Sequence, residues 1–114
     1  MRNEVRSYMI PSKEEQGRLN RLAGENFEFR VLRSFKVRSD VLFAIRSAGS
    51  HSAVDIVIQY KNGKQLWITC KANGYIEPKE RNEISNVCAS KPDNVEVRLY
   101  YYKSAKKMAY ARLA

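Results

Sequence analysis

The sequence predicts one α/β (α+β) domain built on a central mixed sheet flanked by helices. Three observations predict it. Helical and strand-like segments follow one another in the order α, β, β, β, α, β, β. The middle strands, Ala53-Val54-Asp55-Ile56-Val57-Ile58 and Leu66-Trp67-Ile68-Thr69-Cys70-Lys71, are apolar almost throughout, the pattern of strands covered on both faces. The chain has 114 residues, 44% of them hydrophobic, which is room for one core.

Residues 1–23 read as a partly helical N-terminal extension to this single domain of residues 1–114. Within it, Pro11-Ser12-Lys13-Glu14-Glu15 has the form of a helix start, with Ser12 and Glu15 at capping-box spacing. Gly24 breaks the pattern, and a stronger helix follows from Glu25 to Phe35. Phe27, Val31, Leu32 and Phe35 make its apolar face; Glu28 lies at the margin, and Arg30 and Arg33 point elsewhere. Val41 to Arg46 is a strand by composition, and Ser47-Ala48-Gly49-Ser50-His51-Ser52 is a loop of small polar residues.

Asn62-Gly63 is a hairpin turn between the two apolar strands, and Asn73-Gly74 stops the second of them. Pro78 suits the first turn of a helix through Glu80, Glu83, Ile84, Val87 and Cys88, which Pro92-Asp93-Asn94 ends. Val95 to Tyr102 alternates as a strand does. A basic turn, Lys103 to Lys107, leads to a last strand through Met108, Tyr110 and Leu113. No repeat, linker or low-complexity segment interrupts the order.

Charge narrows the partners. There are 21 Lys and Arg against 12 Asp and Glu, a net charge of +9. So basic a small domain is expected to meet a polyanion, nucleic acid first. No run of about 18 apolar residues exists to span a membrane, no basic amphipathic helix stands out, and the N-terminus lacks an apolar signal core. The expectation is a cytoplasmic protein. Cys70 and Cys88 are too few for a disulfide framework and lack the close partners of a zinc site, so both read as buried thiols.

Asp55 and Lys71 carry opposite charges into strands that otherwise ask to be buried. Such charge is costly unless something compensates it. The midpoint between them is Gly63, so a simple hairpin register makes them near cross-strand partners. A carboxylate that holds a cation beside a phosphate, with an ammonium that orients water or offsets developing negative charge, is the equipment of metal-assisted phosphodiester hydrolysis.

The chain resembles the PD-(D/E)XK nuclease superfamily, and within it the archaeal-type and viral Holliday junction resolvases. The residues that carry the likeness are Gly24-Glu25-Asn26-Phe27-Glu28, Arg46-Ser47-Ala48-Gly49-Ser50, Val54-Asp55-Ile56-Val57 and Trp67-Ile68-Thr69-Cys70-Lys71, in order over residues 24 to 102. The resemblance implies an αβββαββ, restriction-endonuclease-like core and a homodimer that cuts branched (Holliday junction) or duplex DNA with Mg²⁺ or Mn²⁺. It implies that Asp55 bridges the metal, that Glu28 joins it through water and that the Cys70 carbonyl is a ligand. It gives Lys71 the positioning of the water, and it places Arg46 and Ser50 near the phosphate. One position departs: the superfamily has Glu or Gln two residues before the lysine, and here stands Thr69. A hydroxyl is a poor ligand for a hard dication. Glu77, Glu80 or Glu83 could bring a substitute carboxylate from the following helix. Otherwise the site is degenerate and the chain a DNA-binding protein on the same fold.

Plainer readings stand beside these. Asp55 could cap a turn or pair with Arg46, Lys71 could reach for solvent from a strand end, and Glu28 could be solvated. His51, the single histidine, either contacts DNA or is exposed. Tyr100, Tyr101, Tyr102 and Tyr110 either stack on bases or, as strand alternation favours, divide between core and surface. Lys61, Lys64, Lys79, Arg81, Lys103, Lys106 and Lys107 lie in or beside turns, where they could contact phosphates without reading sequence.

Overall fold

Four apolar side chains at helical spacing, Phe27, Val31, Leu32 and Phe35, define the first helix and are all buried. The computed structural model describes residues 26–47, 53–104 and 107–114. The N-terminal extension, its Ser12–Glu15 capping box, Ser50, His51 and Lys106 lie outside the described residues. The first helix, α1, is described over residues 26–36 and turns its Arg30, Arg33 and Lys36 to solvent.

Five strands follow, β1 (Val41–Arg46), β2 (Ile56–Tyr60), β3 (Gln65–Cys70), β4 (Val95–Ser104) and β5 (Lys107–Arg112), with helix α2 (Pro78–Ser90) between β3 and β4. They form a single mixed sheet in sequence order. Strands β1, β2 and β3 are an antiparallel meander, β4 runs parallel to β3, and β5 returns antiparallel to β4. A parallel pair needs a crossover, and α2 supplies it. Pro78 sits in the first turn of α2, where its missing N–H costs nothing, and the backbone is extended again at Lys91, just before Pro92.

The main core lies between α1 and the sheet. Ala44, Ile56, Ile58, Leu66, Ile68, Cys70 and Tyr100 meet the four apolar residues of α1 there. Fully burying one such side chain stabilises a fold by about 1.5–3 kcal/mol. Val95, Val97 and Leu99 of β4 are also buried, as is Ile84 of α2. The sheet is not covered evenly, contrary to the expectation of two covered faces. Leu42, Phe43 and Ile45 of β1 are exposed, because β1 is a sheet edge and α2 crosses from β3 to β4. Among the described residues no helix is long and apolar enough to cross a membrane.

The β2–β3 turn needs its glycine. Gly63 has φ +92°, and its N–H donates to the Tyr60 carbonyl at 3.1 Å. A Cβ added there would meet nothing within 4 Å, so Gly63→Ala meets no clash but adopts a strained backbone. The variant is expected to lose about 1–2 kcal/mol of stability, read as a lower urea midpoint with unchanged slope. An unchanged midpoint would show that the turn relaxes without cost.

Candidate active site

Asp55 immediately precedes β2 and is clasped on both sides by main chain. Its carbonyl accepts the Ser47 N–H at 2.8 Å, and its own N–H donates to the Ile68 carbonyl at 2.8 Å. Its carboxylate accepts the Cys70 N–H at 2.7 Å. The side chain thus takes a ladder position that a strand carbonyl would ordinarily fill, which fixes it where β2 and β3 begin to part. Lys71 follows β3 directly. Its N–H donates to the Tyr100 carbonyl at 3.0 Å, so the parallel pairing with β4 extends to it.

The hairpin register differs by a step from the simple expectation. The pairs Ile56–Ile68 and Gln59–Gln65 are centred on Asn62, not Gly63. The pairing stops at Ile56–Ile68, beyond which the Asp55 N–H turns back to the Ile68 carbonyl, so no cross-strand pair joins Asp55 to Lys71. The two charges still feel one another: the Lys71 ammonium pulls the Asp55 carboxyl down.

Burial is the larger influence on Asp55, and it pushes the carboxyl above its usual range. The Cys70 amide and then Lys71 oppose that push, Glu80 adds to it, and Arg46 opposes it more weakly. The Cys70 thiol is pushed far up by burial, with the Asp55 and Glu28 charges adding to the effect, so it is an inert buried thiol. Cys88 is free and half-buried in α2, a departure from the fully buried thiol expected there.

Two ion pairs complete the cluster. Lys71 pairs with Glu80, from the first turn of α2, and both are partly shielded from water. Glu28, on α1, accepts from the Arg46 guanidinium at 3.3 Å. Among the described residues the ion pair of Arg46 is thus with Glu28. The sheet topology brings these groups together: the C-terminal ends of β1 and β3, the start of β2, and the start of α2 lie at one end of the sheet. The ends of parallel strands beside a crossover are where open α/β sheets place their ligands.

Thr69 is buried, 3% exposed, and its hydroxyl donates to the Ala53 carbonyl at 2.6 Å. That bond ties the segment before Asp55 to β3. Of the acidic residues on α2 and its approach, Glu80 reaches the cluster through Lys71, whereas Glu77 is the exposed N-cap and Glu83 is half-buried further along. Among the described residues no three His, Cys, Asp or Glu side chains gather as a ready metal cage.

The surface cations divide. Lys79 and Arg81 sit with Glu80 in the first turn of α2, at the Asp55 end, and Arg81 donates to the Ile76 carbonyl at 3.0 Å. Lys61 does not join them. It follows the last residue of β2, so the length of that strand, about 17 Å at the usual rise, separates it from Asp55. A cleft of about 200 Å³ lies at that far end, between Tyr60, Lys64, Asn94, Glu96 and Arg98, and its best-placed cation is engaged: Arg98 pairs with Glu96. Tyr100 is buried and Tyr101 and Tyr102 are both half-buried, so burial through this part of β4 does not alternate as expected, while exposed Tyr110 stacks on Tyr100 at 5.3 Å.

Sequence reasoning missed the Lys71–Glu80 pair and the exposed rings of Phe29 and Tyr75. The Glu80 spacing gave no local signal, since the loop after Lys71 decides where α2 begins. No protein-family model matches the chain, no curated protein matches it, and no solved structure matches its fold.

Proposed function

We propose that the chain is a metal-dependent endonuclease that hydrolyses phosphodiesters in branched or duplex DNA. The observation that carries this reading is the Asp55 carboxylate, pinned by the Cys70 amide in a partly buried place, with the Lys71 ammonium in electrostatic reach at the same sheet end. The element order α, β, β, β, α, β, with a parallel third and fourth strand, supports a restriction-endonuclease-like core. The net charge of +9 suits a polyanionic substrate.

The donors available are carboxylates and backbone carbonyls, which suit Mg²⁺ or Mn²⁺. Asp55 would hold the ion with the Cys70 carbonyl, and Glu80 or Glu28 would complete a sparse set, since Mg²⁺ commonly keeps several waters and uses one or two carboxylates. The bound ion supplies Lewis-acid polarisation of a phosphoryl oxygen. Lys71 then orients the attacking water and offsets the charge that develops on the phosphate, while Arg46, held by Glu28, contacts a neighbouring phosphate. A homodimer would set two such sites against two strands.

A second reading has its own support: a catalytically degenerate DNA-binding protein on the same fold. Thr69 is committed to Ala53, and Glu80 is committed to Lys71. Labelled four-way junction, duplex and single-stranded DNA, incubated with Mg²⁺, Mn²⁺ or EDTA, separate the two. Metal-dependent cuts support the enzyme; binding without cuts in every condition supports the module.

Thr69→Glu sharpens the test. The change removes a buried hydrogen bond and sets a second carboxylate beside Asp55, so the variant is expected to lose about 1–3 kcal/mol in EDTA. Millimolar Mg²⁺ is expected to restore part of that loss, read by thermal melting. Equal melting with and without Mg²⁺ would argue that no metal sits there.

A further inference from the structure

We propose that Phe29 and Tyr75 form a two-point stacking site for unpaired DNA bases at the Asp55 end of the sheet. Both are large rings left in water: Phe29 is 44% exposed and Tyr75 55%. Each lies under a guanidinium. Arg46 sits 4.7 Å from the Phe29 ring centre, and Arg81 sits 6.0 Å from that of Tyr75. An exposed ring beside an arginine is the pairing that reads single-stranded nucleic acid, because the ring offers a face to a base while the cation meets the adjoining phosphate.

The positions are tied to the cluster already described. Arg46 bridges Phe29 to Glu28, and its charge reaches Asp55. Tyr75 stands on the turn that leaves Lys71: the Gly74 N–H donates to the Lys71 carbonyl at 2.7 Å, and the Asn73 side chain accepts the Tyr75 N–H at 3.0 Å. Gly74 has φ +75°, so the turn is set by a residue that adopts that backbone without strain. A third guanidinium, Arg30, lies 5.5 Å from the Tyr102 ring, whose half-buried face packs on Phe27 at 4.5 Å. Phe29 is thus carried by α1 beside Arg46, and Tyr75 by the β3–α2 loop beside Arg81, each with its guanidinium near the sheet end that holds Asp55. Continuous duplex keeps its bases stacked inside and offers them nothing. A gap, flap or branch point exposes bases, and that is the substrate feature this pair would select.

The site rests on the nucleic-acid reading above, and binding measured in EDTA separates its failure from that of the cleavage reading. The probes are a fluorescein-labelled duplex and the same duplex with a central single-stranded gap carrying 2-aminopurine. The full chain is expected to bind the gapped DNA about tenfold tighter and to quench 2-aminopurine fluorescence. Phe29→Leu and Tyr75→Leu, surface changes that keep an apolar side chain, are each expected to weaken gapped binding about tenfold, to leave duplex binding within about twofold and to reduce the quenching. Lys61→Ala, at the far end of β2, is expected to weaken both DNAs alike. Equal wild-type affinity for the two DNAs, or leucine variants that bind the gap as wild type does, would overturn the stacking site even if the protein cuts DNA. A gap preference lost in the leucine variants, without cutting in Mg²⁺, would keep the stacking site and remove the nuclease.

Discussion

Asp55→Asn is expected to abolish the proposed metal-dependent cleavage and to raise the melting temperature at neutral pH. The first half follows from the proposed role of the carboxylate. Asparagine keeps an oxygen that can accept the Cys70 N–H, so the local backbone is held, but it loses the charge that would hold a dication. The expected loss in turnover is about 10²–10³-fold or more, the scale set by removing one preorganised electrostatic group from a reacting centre. The second half follows from the direction of the carboxyl's shift. Burial raises it despite Lys71 and Arg46, so at neutral pH the fold carries the charge at a cost.

The sign can be followed through pH. With the folded value above the unfolded one, the folded state binds the proton first as pH falls, and wild-type stability rises through that window. The advantage of the Asp55→Asn variant over the wild type is therefore largest at neutral pH and shrinks as pH drops toward the ordinary carboxylate range. Paired melts of wild type and Asp55→Asn between about pH 4 and 8 measure it. A variant less stable than wild type at about pH 7 would mean that the Cys70 amide together with the attraction of Lys71 and Arg46 outweighs burial. Asp55 would then be a structural ion-pair member and not a group held ready for a ligand.

Phe27→Ala carries the largest expected stability change. Phe27 is 1% exposed and joins α1 to the sheet, with its ring 4.5 Å from that of Tyr102. Truncation removes the transfer energy of the ring and leaves a cavity in a core that collapses only partly. The expected cost is about 3–5 kcal/mol. Small domains hold about 5–15 kcal/mol in all, so the variant stands near the edge of unfolding. The melting temperature is expected to fall by about 4–8 °C for each kcal/mol lost. Arg33→Ala, on the exposed side of the same helix, is the contrast, with a change within about 0.5 kcal/mol. If the two variants melted alike, α1 would not be packed through the Phe27 face. Because Glu28 is the next residue, loosening of this turn is also expected to weaken the Glu28–Arg46 pair at the site.

Much of the fold was legible because its signals are local. The apolar face of α1, the glycine turn at Asn62-Gly63, Pro78 at the start of α2 and the alternation through β4 each depend on residues within a few positions of one another. Asp55 and Lys71 were legible as candidates for a related reason: a charge inside an apolar run is visible without knowing its neighbours. What surrounds them was not visible. The step in hairpin register arises from where the strand pairs settle around Asn62: the pairing stops at Ile56–Ile68, and the Asp55 N–H turns back to the Ile68 carbonyl. The exposure of Phe43 and Ile45 depends on where α2 crosses, which their own apolar sequence cannot tell. Lys61 and Lys79 look alike as turn lysines, yet the length of β2 puts the first at the far end from Asp55.

By itself the sequence determined, among the described residues, the two helices, the five strands to within a few positions and the glycine turn, because backbone preference and burial pattern are written residue by residue; it read Asp55 and Lys71 as strand residues, whereas they stand just before β2 and just after β3. Only the tertiary structure decided which partners those charges meet: Asp55 with the Cys70 amide, Lys71 with Glu80, Glu28 with Arg46. The physical reason is that a strand's end and a helix's start are brought together by pairing and crossover geometry, and the energy of a buried charge depends on those distant neighbours far more than on its own place in the chain.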